Sequence, residues 1–176
     1  MAIKKISLGM QAVQFGVRDD PERIRKLVGE FKHWLDAGLD PNRFVMSPND
    51  PKRWRSRGGL NIWPEGEKQL ELWAVNFGIV LPNYPALLEE ASSLPADYQR
   101  GGFCHLATHF SVEKVVALYE QGIRWLEATD ENSLWRCDDG DLYAPYVVCD
   151  PNVRYLSAYW VENERFASGW FLFACE

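Results

Sequence analysis

The sequence predicts an α+β fold, a mostly antiparallel sheet with a C-terminal β-meander and three or four helices packed on one face, in a single domain spanning residues 1–176. Three observations predict it. Amphipathic stripes at helical spacing recur before Asp130; β-branched and aromatic runs broken by turn sequences follow it; and no repeat or interdomain linker divides the chain. Hydrophobic residues make up 47% and aromatics 14%, with eight tryptophans, too much apolar material for a disordered chain. A length of 176 residues suits one sizeable core.

The elements follow in order. In "AIKKISLGMQAVQFGV", Ile6, Leu8 and Met10 alternate, then Val13, Phe15 and Val17 alternate in the opposite phase. Such a phase change predicts one bulged strand, or two short strands meeting near Gly9. Next, Asp20 is a good N-cap, Pro21 suits the first helical turn, and Ile24, Leu27, Val28, Phe31 and Leu35 share a face that Gly38 ends. From Asp40 to Pro64 prolines and paired glycines predict loop, with a short strand at Leu60 to Trp63. "EGEKQLELWAVNFG" reads as a helix, with Leu70, Trp73, Ala74 and Phe77 in register and Gly78 as its stop. "LPNYPALLEEASSLP" predicts a short helix beginning near Pro85, and "GGFCHLATHF" a strand. Ser111 then caps a helix whose stripe is Val112, Val115, Val116, Tyr119 and Ile123. After Asp130, "DDGD", "CDPN" and "VENER" separate the strands of the predicted meander.

Charge and cysteine usage narrow the function classes. The N-terminal stretch lacks the continuous apolar core of a signal peptide, and no run reaches a membrane span, so a cytoplasmic location with no membrane partner is expected. Cys104, Cys137, Cys149 and Cys175 are too scattered for a disulfide scaffold or a zinc ribbon and read as reduced, mostly buried thiols. The net charge of −6 is unevenly spread. Residues 1–60 hold 12 Lys+Arg against 7 Asp+Glu (+5), whereas residues 61–176 hold 7 against 18 (−11). This asymmetry predicts an acidic face able to steer a charged partner.

Three stretches offer chemistry. In "GGFCHLATHFS", Cys104 with His105 or His109 would suit a thiol nucleophile and its base, the reading of a cysteine hydrolase or transferase. A histidine adjacent in sequence swings round poorly to serve its neighbour, and a buried cysteine is the simpler reading. As metal ligands His105 and His109 are only a pair, and the remaining histidine, His33, is far away in sequence, so no metal or other cofactor is expected. "PKRWRSRGG" combines Lys52, Arg53, Arg55 and Arg57 with Trp54, a pattern that contacts phosphate or stacks on bases. The acidic balance of the chain argues against nucleic acid and for pairing with its own acidic half. "CDDGDLY" places Asp138, Asp139 and Asp141 around Gly140, without EF-hand spacing, and Asp-Gly between strands predicts a hairpin turn. No nucleotide-loop or HExxH motif occurs.

A strand leading into an aromatic-x-x-Arg step and an amphipathic helix, "QFGVRDDPERIRKLVGEFKHWL", together with the C-terminal "SGWFLF", resembles bacterial immunity proteins that neutralise polymorphic toxins, loosely the immunity-protein-52 type. The resemblance covers about 30 residues and its motifs are generic. It implies stoichiometric inhibition of a cognate toxin by occlusion, without catalysis. Composition points the same way, to an acidic, ring-rich binding protein. The expected contacts with a basic protein partner are Asp138, Asp139 and Asp141 at one hairpin tip, Glu162 and Glu164 at another, and the nearby Trp135 and Trp160.

Overall fold

The computed structural model describes residues 2–15, 55–56, 66–109, 112–136, 140–149 and 154–176. The predicted helix from Asp20 to Gly38, the strand at Leu60 to Trp63 and the Ser111 cap lie outside them. The first described element is β1 (Lys4–Phe15), a single strand. Its pairing register slips between Ser7 and Gly9, and Gly9 adopts a left-handed φ of 79°. The bulge is the physical cause of the phase change in the sequence: Ile6 precedes it, Leu8 is its unpaired residue, Val13 and Phe15 follow it, and all four pack on the same core cluster. Met10, beyond the slip, is turned outward and exposed.

The stretch predicted as a helix from Glu65 to Gly78 is instead the strand β3 (Gly66–Asn76). It lies antiparallel between β1 and β9 (Trp170–Cys175). Leu70, Leu72 and Ala74 point to one face, while Trp73 and Val75 pack on the other. Helical spacing and strand alternation both fit these residues, and pairing on two sides decides for the strand.

Helix α1 (Tyr84–Ala91) forms where the sequence predicts one. Asn83 caps it by accepting a hydrogen bond from the Ala86 amide at 2.9 Å, and Arg100 donates to the Leu88 carbonyl at its far end. The "GGFCHLATHF" stretch, predicted as a strand, folds as the short helix α2 (Phe103–Leu106) and a 3-10 turn over Ala107–His109. Helix α3 (Val112–Glu120) ends sooner than its apolar stripe suggests. Gly122 takes a φ of 86°, its amide bonds the Tyr119 carbonyl, and the Ile123 amide bonds the Leu118 carbonyl. This Schellman stop brings Ile123 back into the core with Leu118 and launches β5 (Trp125–Ala128).

The sheet is mixed, with a main path in the order β1, β3, β9, β5, β7 (Leu142–Cys149), β6 (Trp135–Arg136) and β2 (Arg55–Ser56). Two further strands pair off this path, β4 (Gln99–Arg100) with β9 and β8 (Arg154–Trp160) with β7. Every described pairing is antiparallel except β5 with β9. Of the C-terminal strands, β6, β7 and β8 pair antiparallel in succession, and β9 departs to lie between β3 and β5.

The described helices do not share one face, contrary to the sequence expectation. Phe103, Leu106, Val115 and Leu118 from α2 and α3 pack on Leu72, Leu126, Val147 and Leu172. Tyr84, Leu87 and Ala91 from α1 pack on the opposite side, against Val75, Ala144, Phe171 and Phe173. The reason is β9: in "WFLFAC" both faces are apolar, and an interior strand of that kind needs cover on both sides. No helix among the described residues is long and apolar enough to cross a membrane.

Candidate functional site

The Cys-His stretch is built from its two glycines. Gly101 donates to the Leu172 carbonyl at 3.1 Å, and its own carbonyl accepts from Thr129 and Asp130. A Cβ on Gly102 would lie 2.3 Å from the Ser133 hydroxyl oxygen, so only glycine allows this approach. Ser133 accepts from the Phe103 amide, and the Nδ1 atom of His105 accepts from the Gly102 amide, both at 2.9 Å. These bonds start α2 inside the protein rather than at its surface.

The consequence for chemistry is direct. Cys104 is 6% exposed and belongs to the apolar cluster under α2. Burial lowers the pKa of His105 to about 4, so it is neutral near pH 7. Its lone-pair nitrogen, Nδ1, already accepts from Gly102, which leaves it unable to take a thiol proton. His109 is also buried, and burial together with the Lys114 charge lowers it to about 4. Thr108 donates its hydroxyl proton to the His105 carbonyl and so accepts from His109 Nδ1. The stretch works as a packed, hydrogen-bonded junction between α2 and the sheet.

Of the residues predicted as partner contacts, the described ones lie at one end of the sheet. Across three strands, Trp135 of β6 is in register with Tyr143 of β7, and Tyr143 with Trp160 of β8. Successive register partners share a face, so this is a cross-strand row of aromatic positions. Trp160 is 38% exposed, and Tyr143 packs on the cluster beneath α2 and α3. The β6–β7 connection carries the "DDGD" sequence; Gly140 takes a left-handed φ of 91° and Asp141 is exposed, whereas Asp138 and Asp139 lie outside the described residues. The turn after β8 adjoins it through the bond from the Val161 amide to the Leu142 carbonyl, and exposes Glu162 and Glu164.

This end has basic neighbours. Arg136 of β6 is in register with Leu142 on one side and with Arg55 of β2 on the other. That pairing is the only part of the arginine-rich loop within the described residues; Arg53, Trp54 and Arg57 lie outside them.

A residue that the sequence did not single out holds the acidic turn in place. Arg165 is 1% exposed and donates through one guanidinium nitrogen to the carbonyls of Trp160, Val161 and Asn163. Its other nitrogens meet the carboxylate of Glu127 on β5, at 2.8 Å for the closest contact. Tyr84 and Tyr159 flank the cation, and Tyr159 donates to the Glu164 carbonyl. Burial pushes the Glu127 carboxyl up while the Arg165 charge and hydrogen bonds pull it back, leaving it above its ordinary value. Within "VENERF" nothing local marks this arginine as buried, because its partner is 38 residues away.

Compared with protein-family models, curated proteins and solved structures, the chain matches none.

Proposed function

We propose that the chain is a non-enzymatic inhibitor of the immunity type, which occludes a basic protein such as a toxin with the end of the sheet formed by β6, β7 and β8. The observation that carries this reading is the aromatic register row Trp135, Tyr143 and Trp160, bordered by the exposed Asp141, Glu162 and Glu164. Rings supply large contact area at small entropic cost, and the carboxylates at the rim supply steering and selectivity. Arg165 supports it further, because a turn fixed by three carbonyl bonds presents its acids in one preorganised arrangement. His105 Nδ1, which already accepts from the Gly102 amide, weighs against the cysteine hydrolase reading. Arg53, Trp54 and Arg57 of the nucleic-acid reading lie outside the described residues, and the acidic balance of the chain weighs against that reading.

The test uses as titrant a basic, toxin-like protein, sought first in the reading frames that adjoin this one. Asp141→Lys combined with Glu162→Lys is expected to weaken binding by about 100-fold at low salt, as close charge pairs at interfaces do. Equal affinity of the variant and the parent chain refutes the docking surface.

A further inference from the structure

A concavity opens between the start of β5 and the chain leading into β9. It has a volume of about 180 Å³. Its walls are aromatic: Trp125, Phe166 and Phe171 line it, and Phe166 is 57% exposed at the surface. Every side-chain polar group in the lining can donate a hydrogen bond, namely Arg124, Arg165, Ser168 and Trp125, and no carboxylate is among them.

These donors differ in what they have left to give. Arg165 is committed to Glu127 and three carbonyls. Arg124 is exposed, lies over the Tyr119 ring at 3.7 Å from its centroid, and donates one N–H to the Tyr119 carbonyl. That stacking fixes the guanidinium while keeping the rest of its donor fork available. Trp125 stacks on Tyr146, and its Nε1 is buried with no hydrogen-bond partner among the described residues. A buried indole N–H normally finds an acceptor.

We infer that this pocket binds a small aromatic carboxylate, with the ring against Phe166, Phe171 and Trp125 and the carboxylate on Arg124. Aromatic walls select a planar apolar body, and an all-donor lining with an available cation selects an anionic acceptor. A cationic ligand finds no counter-charge there, and an aliphatic acid leaves the ring contacts unused.

The test titrates benzoate into the full chain labelled at its indole nitrogens, with Trp125→Phe identifying the Trp125 resonance. Benzoate is expected to shift that resonance to saturation, with a dissociation constant in roughly the millimolar range for so small a ligand. Benzyl alcohol, the same ring without the charge, is expected to bind at least about ten-fold more weakly, and Arg124→Gln to weaken benzoate by a similar factor. The absence of a saturable shift, or equal affinity for benzoate and benzyl alcohol in the parent chain, overturns the assignment.

Discussion

Arg165 and Glu127 form a pair whose partners are both withdrawn from water, at 1% and 0% side-chain exposure. Replacing such a pair with well-packed apolar residues is often neutral, but removing one member strands the other charge. Arg165→Ala is therefore expected to cost about 3–5 kcal/mol in urea unfolding. Arg165→Met with Glu127→Met should recover most of that loss; no recovery would mean that the three carbonyl bonds dominate the side chain's role. Arg165→Lys should not rescue, since an ammonium cannot bridge a carboxylate and three carbonyls at once. This central feature was illegible in the sequence. A lone arginine between Glu164 and Phe166 in a turn composition has every local mark of a solvated residue, and only the fold brings Glu127 beneath it.

At the level of elements, α2 and the 3-10 turn that follows it carry the expected pH dependence. His105 and His109 have folded-state pKa values of about 4, below an ordinary 6.5, because burial disfavours the charged ring. A depressed histidine favours folding fully above the unfolded value, and this contribution is lost as pH falls from about 6.5 towards 4, since the unfolded chain takes up protons first. Each ring then contributes at most about 3 kcal/mol. Unfolding free energies are expected to fall between pH 7 and pH 4.5, and less steeply in His105→Asn, which keeps an acceptor near the Gly102 amide. Comparison with the variant isolates the histidine from Glu127, whose raised pKa acts in the opposite sense; an identical pH slope would refute the assignment. The elements also differ in how plainly they were written. The bulge of β1 was legible because a register slip must reverse the alternation of Ile6 and Leu8 relative to Val13 and Phe15. Helix α1 was legible through its local turn chemistry. β3 was not, because Glu, Lys, Gln, Leu and Ala are good helix formers, and Leu70, Trp73, Ala74 and Phe77 satisfy a helical period. Pairing with β1 and β9 overrides that local preference. From Phe103 to Leu106 four consecutive side chains are buried, so no alternation remains to separate helix from strand.

For the whole molecule, the proposed inhibitor function assigns different steps of association to the charge asymmetry and to the rings. Long-range attraction between an acidic chain of net charge −6 and a basic partner acts before contact, so it belongs to the association rate and is screened over about 10 Å at 0.1 M salt. Ring contacts act only after docking, so they belong to the dissociation rate. Raising the salt concentration from about 0.02 M to 0.5 M is therefore expected to slow association with the basic partner by at least about ten-fold while changing dissociation little. Asp141→Lys with Glu162→Lys should slow association and flatten its salt dependence. Trp160→Ala should leave association nearly unchanged and speed dissociation by at least about ten-fold, the loss expected for an aromatic anchor. Arg136 and Arg55 stand in register beside the β6–β7 connection, so the proposed reading assigns the attraction to the exposed Asp141, Glu162 and Glu164 rather than to the sheet edge as a whole. Stopped-flow association and surface-based dissociation of the same three proteins separate these roles. If Trp160→Ala acted on association alone, or the charge reversals on dissociation alone, the division between steering acids and anchoring rings would be wrong for this surface.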